Sequence, residues 1–183
     1  MWKNKRILAA ILIVLLLSII IVLGIFFKEN TTIIDSQISY NKILPGQDSN
    51  ESVIAKLGNP DSEGKIDDKI VLNYKVEGRD SNTQVILKEN QVDMVKQIIG
   101  PTENVKKSDF EKYGEPEATY YGPHYNAGFR LYSYSSKGLA IIAHWQEQTV
   151  YQVWYFKPVK TDEFLSTIAS NERYSSQEEP MGY

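Results

Sequence analysis

The chain has 183 residues, and 20 Lys/Arg against 23 Asp/Glu give it a net charge of −3. It has no cysteine, which excludes disulfides, thiolate metal sites, thiol nucleophiles and a lipidated-cysteine anchor. Every acidic residue lies after Lys28; setting aside Lys3, Lys5 and Arg6 leaves 17 basic against 23 acidic residues, a charge of −6, and the scattered lysines form no basic face for nucleic acid.

Residues 1–6 are a short cationic N-terminus. Residues 7–27, ILAAILIVLLLSIIIVLGIFF, are 21 residues without a charge. As a helix rising about 1.5 Å per residue, this run spans the roughly 30 Å hydrocarbon core of a bilayer. Lys3, Lys5 and Arg6 before it, with only Lys28 close behind, orient the N-terminus to the cytoplasm and the rest outside the membrane. The rival reading is a cleaved signal peptide, which wants a small-x-small cleavage site that Gly24-Ile25-Phe26-Phe27-Lys28 does not offer. Residues 28–42 read as a polar spacer.

Residues 43–101 form a first α+β repeat. Ser49 or Asn50 caps a helix whose Val53, Ile54 and Leu57 share one face. Gly58 stops it and Pro60 prevents its resumption. Residues 61–68 read as a charged loop. Ile70, Leu72 and Tyr74 alternate as a half-buried strand, Val85 and Leu87 mark a second, and Val92, Met94 and Ile98 give one face of a third. Turns fall at Gly78–Asn82 and at Glu89-Asn90. Residues 102–158 repeat the plan: Gly58 and Gly114 are 56 residues apart, as are Pro60 and Pro116. Ser108 or Asp109 caps a helix carrying Phe110 and Tyr113. A long aromatic loop, Ala118–Gly128, precedes strands at Phe129–Tyr134, Leu139–Trp145 and Thr149–Phe156. In residues 159–183, Asp162–Ala169 reads as a short helix and Ser170–Tyr183 as a disordered tail. The fold class is therefore α+β: a transmembrane helix, then two units of one helix and a three-stranded antiparallel sheet, with one continuous curved sheet or two separate ones both open.

The polar cap, the helix ending in Leu57-Gly58-Asn59-Pro60 and the three-stranded meander resemble the SmpA/OmlA type of domain, and two copies in tandem resemble the β-lactamase-inhibitor-protein fold. The resemblance covers residues 43–158. It implies a non-catalytic module that binds other proteins. The sequence departs from the lipoprotein pattern at the anchor, which here is a transmembrane segment, and no inhibitor contact residue carries over.

No catalytic constellation or cofactor motif emerges. Ser62-Glu63-Gly64-Lys65 matches Ser-x-x-Lys but stands in a polar turn without its partner motifs. His124 and His144 are not spaced as metal ligands. The second repeat's aromatic bias is the functional pointer. Alternation places Val150, Trp154 and Phe156 toward the helix with Ile141 and Ala143. It places Arg130, Tyr132, Tyr134, His144, Tyr151 and Tyr155 on the opposite face. Tyrosine and arginine are enriched at binding hot spots. The competing reading is that this face packs against the first repeat, the loop Tyr120–Tyr125 or the tail. The expected function is a membrane-anchored, extracytoplasmic, non-catalytic protein-interaction module in envelope assembly or maintenance. The partners expected are the membrane, through residues 7–27, and an envelope protein. A cell-wall glycan-binding module using the tyrosine face, and an inhibitor of an envelope hydrolase, are the alternatives.

Overall fold

The computed structural model describes residues 38–178. The expected membrane span 7–27, the N-terminus 1–6, most of the spacer and the tail beyond Glu178 lie outside the described residues. Among the described residues no helix is long and apolar enough to cross a membrane.

The first helix begins where its capping chemistry dictates. Ser49 is the N-cap of α1 (Asn50–Leu57), its hydroxyl accepting from the Ser52 N–H at 3.4 Å. Asp48, just ahead, accepts from the Leu44 N–H at 2.6 Å, from the Ser52 hydroxyl at 2.5 Å and from Lys56 Nζ at 2.7 Å. Gly58 ends α1 with φ +83°, a backbone angle that a side chain disfavours. The second copy differs. Residues Lys107–Tyr113 form a 3-10 helix capped by Lys106, not by Ser108 or Asp109; the Asp109 carboxylate instead reaches back to the Lys106 N–H at 2.8 Å. A three-residue turn eclipses i and i+3, which sets Phe110 and Tyr113, the segment's two aromatics, side by side at 6.3 Å.

Eight strands follow: β1 (Ser62–Ile66), β2 (Lys69–Tyr74), β3 (Thr83–Lys88), β4 (Gln91–Ile98), β5 (Ala118–Tyr120), β6 (Phe129–Tyr134), β7 (Leu139–His144) and β8 (Val150–Phe156). They form one antiparallel sheet in the order β1-β2-β3-β4-β8-β7-β6-β5. Each unit thus contributes four strands rather than the expected three. The two additions are edge strands with little hydrophobic signal. β1 is exposed at every residue, and its Glu63 and Lys65 are the kind of charge that discourages further pairing at an edge. β5 has only three residues.

The halves join through their last strands, β4 and β8. The pairs Met94↔Phe156 and Ile98↔Gln152 flank a central pair, Lys96↔Trp154. Equivalent strands pairing antiparallel is the arrangement a local two-fold produces. Each of these strands also carries a bulge at the same place. Asp93 is left over between Val92 and Met94, and Tyr151 between Val150 and Gln152. A surplus residue reverses the inward–outward alternation beyond it, and this corrects the expected faces. Val92 packs on the helix side with Val95, whereas Met94 lies on the other side. Val150 and Val153 are on the helix side, and Trp154 and Phe156 are opposite.

Both faces of the sheet are covered. On one side, Val53 of α1 packs with Leu72, Val85, Leu87, Val92 and Val95, and Phe110 and Tyr113 pack against Tyr132, Tyr134, Leu139 and Ile141. The other side takes the C-terminal segment, which contains a 3-10 turn (Thr161–Glu163) and α2 (Phe164–Thr167). Phe164 and Ala169 are buried there against Leu131, Ala140, Ile142, Trp154 and Phe156. The segment stays docked beyond Ser170. Glu172 pairs with Lys96 at 2.5 Å, and the Tyr174 ring meets Trp154 edge-on at 5.9 Å. Residues 170–178 are therefore part of the fold and not the disordered tail expected from their polarity.

Candidate functional site

The six residues singled out from the sequence do not share one face. Directly paired residues of antiparallel strands lie on the same side. Tyr132 pairs with Ile141 and Tyr134 with Leu139, so both tyrosines turn to the helix side. They are 7 % and 2 % exposed. Lys107 Nζ sits 4.1 Å over the Tyr132 ring, and Tyr113 meets Tyr134 edge-on at 6.4 Å. Tyr155 is on that side too, packed against Tyr40 at 5.8 Å with its hydroxyl donating to Gln97 Oε1 at 2.9 Å. Burial pushes its hydroxyl well above the ordinary tyrosine range. Tyr151 occupies the β8 bulge, where it lies between Phe129 and the Arg79 guanidinium, 5.3 Å from its ring, and donates to Ser81 Oγ at 3.0 Å. These four tyrosines are packing residues.

Arg130, paired with Ala143, is on the helix side and His144, paired with Phe129, on the opposite side, but both line one open cleft at the end of the sheet where β6 begins and β7 finishes. Phe129 pairs with His144 in register and the rings meet edge-on at 5.5 Å. His144 Nδ1 accepts the Glu147 N–H at 3.1 Å. Gly128 makes this geometry accessible. Its φ of +82° closes the 3-10 turn Tyr125–Ala127, and a Cβ there would stand 2.4 Å from His144 Nε2. The Gly128 carbonyl then takes the Trp145 N–H at 2.8 Å, which fixes Trp145 beside Arg130.

The result is a guanidinium ringed by aromatics. Arg130 Cζ lies 5.1 Å from the Trp145 ring, 5.5 Å from Tyr121 and 6.0 Å from Tyr125, all within cation–π reach. Tyr121 and Tyr125 meet edge-on at 5.4 Å. Trp145 is 42 % exposed, one of two large apolar side chains left open among the described residues; the other is Ile66. Arg130 Nη2 donates to Glu178 Oε1 at 2.7 Å, and the Tyr125 hydroxyl donates to the same oxygen at 2.6 Å. That hydrogen bond raises the Tyr125 hydroxyl above its ordinary pKa. Burial raises Tyr132 against the pull of the nearby Arg130 charge. Arg130 Nε is buried and has no hydrogen-bond partner among the described residues. An open cleft of about 540 Å³ runs past Tyr125, Gly128, Arg130, His144, Trp145 and Glu178. A second, of about 590 Å³, lies on the other side of Tyr125 and is walled by Tyr121, Gly122, Arg173 and Tyr174.

Such a site can bind a ligand through stacking and a charge-assisted hydrogen bond. Among the described residues no group of three His, Asp or Glu side chains stands where it could hold a metal ion, and Ser62 and Lys65 lie on the exposed edge strand β1. Sequence reasoning found Arg130 and His144 and noted the aromatic loop, but it did not place Tyr121, Tyr125, Trp145 or Glu178 at the site. Their convergence depends on where a loop, a hairpin end and the C-terminal segment meet in space.

The chain matches no family model and no curated protein. Among solved structures it is similar to an extracellular protein containing a SCP domain from Bacillus anthracis str. Ames, with 17 % identity and a TM-score of 0.45. The match covers 80 % of this chain and 53 % of that one, so the chain spans about half that protein's length.

Proposed function

We propose that this protein is a membrane-anchored, extracytoplasmic, non-catalytic interaction module that acts by protein–protein contact in envelope assembly or maintenance. The N-terminal apolar run confines the module near the membrane, which raises its effective concentration for partners there. The contact surface is the sheet end around Arg130. What carries the reading is the Arg130 guanidinium enclosed by Tyr121, Tyr125 and a half-open Trp145 beside an open cleft. Arginine, tyrosine and tryptophan are the side chains that dominate binding energy at protein interfaces. The tandem-repeat resemblance to SmpA/OmlA-type domains agrees with such a role. A second reading, cell-wall glycan binding, is favoured by the exposed Trp145 ring lying in a cleft with polar Asn126 and Gln146. The test is crosslinking and pull-down from native membranes with wild type, Arg130→Ala and Trp145→Ala, each confirmed to be folded. A protein captured by wild type and lost with both variants is the expected result. Equal capture by all three refutes the assignment of this surface. Retention on purified cell wall that both variants lose, without a captured protein, transfers the site to the glycan reading.

A further inference from the structure

The protein's own C-terminal segment lies in the site. Tyr121, one residue past the edge strand β5, exchanges two backbone hydrogen bonds with Ser175: its N–H donates to the Ser175 carbonyl at 2.9 Å and its carbonyl accepts the Ser175 N–H at 2.8 Å. This is the geometry by which an extended peptide adds to a sheet edge. On one side of that bridge, Tyr174 is inserted against Trp154 and over Gly122. The fit is tight enough that a Cβ on Gly122 would come within 2.2 Å of the Tyr174 ring. On the other side, the Glu178 carboxylate reaches Arg130 and Tyr125.

The guanidinium is only partly used. Nε–H and Nη2–H point along one edge of the guanidinium and together match the two oxygens of a carboxylate. Here Nη2 has a partner, and Nε, buried beside it, has none among the described residues. Glu178 is attached through one oxygen and is 48 % exposed. An ion pair of this kind holds a segment weakly.

We propose that this groove is a carboxylate-reading peptide acceptor, occupied in cis by residues 174–178, and that a partner's extended acidic peptide binds by displacing them. The proposal rests on the interaction-module reading of the same site and names its ligand: an aromatic side chain for the Tyr174 position, a backbone that pairs with Tyr121, and a carboxylate for Arg130. The seated segment supplies the pattern, since Tyr174 and Glu178 are spaced to fill both ends while Ser175 makes the bridge. The C-terminal segment then acts as a built-in competitor. It keeps Arg130 Nη2 and the Tyr121 edge occupied until a ligand that engages both Nε and Nη2 outcompetes it.

The experiment uses the full chain in detergent and a fluorescent synthetic peptide of its own residues 172–178, Glu-Arg-Tyr-Ser-Ser-Gln-Glu, read by anisotropy. Glu178→Gln weakens the internal competitor and leaves Arg130 in place. The peptide should bind this variant about fivefold more tightly than wild type, the ratio that losing an exposed ion pair removes from the competing segment. The peptide is amidated at its C-terminus, so that its last carboxylate is the Glu178 side chain; binding should vanish when Arg130→Ala is added, or when that C-terminal Glu is replaced by Gln. A chain ending at Asn171, if circular dichroism finds it folded, should bind at least as tightly as Glu178→Gln. Equal binding to wild type and Glu178→Gln, or binding indifferent to Arg130, overturns the proposal. So does a wild-type dimer that Glu178→Gln dissolves, since that would be segment exchange between copies. If peptide binding behaves as expected but no Trp145-dependent envelope protein is captured, the envelope role fails and the acceptor stands. If such a protein is captured and the peptide does not bind, only the acceptor fails.

Discussion

Phe164→Ala measures how firmly the C-terminal segment belongs to the fold. Phe164 is fully buried. It stacks on Tyr120 at 5.2 Å with the rings 8° from parallel, and lies 5.5 Å from Phe156 and 6.4 Å from Trp154. Burying a phenylalanine side chain contributes about 1.5–3 kcal/mol by transfer from water. Its removal also leaves a cavity, and Phe156 and Trp154 cannot collapse into it because β8 is held between β4 and β7. Together these effects place the cost at about 4 kcal/mol, within the range of buried Phe→Ala changes. Guanidinium unfolding of the full chain in detergent, followed by tryptophan fluorescence, would measure it directly. A loss under about 1 kcal/mol would refute the reasoning, because such a value belongs to a surface site rather than a filled core.

Three further outcomes concern a tight turn and two titrating side chains elsewhere in the sheet and helix. Gly138→Ala should destabilise by about 2–3 kcal/mol in the same assay, since the residue has φ +70° and a Cβ would stand 2.2 Å from the Phe156 carbonyl oxygen. Burial pushes the Asp48 carboxyl up, but hydrogen bonds from Lys56, Ser52 and Leu44 outweigh it and hold the group below its ordinary value. Its contribution is therefore present above the unfolded aspartate pKa of about 3.9 and is lost as pH falls through the lower folded value; Asp48→Asn should flatten that part of the acid-unfolding profile. Tyr155 behaves oppositely: burial raises its hydroxyl, so its contribution is complete below the unfolded tyrosine pKa of about 10 and is lost as pH rises toward the folded one. An ultraviolet phenolate titration of Tyr155→Phe against wild type should remove one tyrosine that ionises only with alkaline unfolding.

The parts of the fold that depend on short-range chemistry were legible in the sequence. Ser49 and Gly58 bracket α1 as their capping roles require, and Phe129–Tyr134 was read at its observed bounds. The Glu89-Asn90 turn puts Asn90 at positive φ, which asparagine tolerates. The parts that depend on pairing were not. The all-exposed β1 has no alternation to read, because nothing covers its side chains. Asp93 and Tyr151 look like ordinary strand residues, yet as bulges they exchange the faces of every residue after them. The tyrosine face failed for a related reason: Ile141 was turned toward the helix and its cross-strand partner Tyr132 away from it, which an antiparallel pair does not allow. Arg130 kept its place in the site because its guanidinium reaches past the sheet to the loop and the C-terminal segment.

The most direct test of the central claim, that the Arg130 cluster is the contact surface, compares two positions of similar exposure. Trp145 is 42 % exposed and stands at the cluster, whereas Ile66 is 44 % exposed and belongs to β1 at the far edge of the sheet. A photo-crosslinking amino acid is placed at each position in turn, in the full chain in native membranes. A discrete protein adduct is expected from position 145, removed by Arg130→Ala, and none from position 66. An adduct from position 66 alone would contradict that claim and move the contact surface to the exposed edge strand β1.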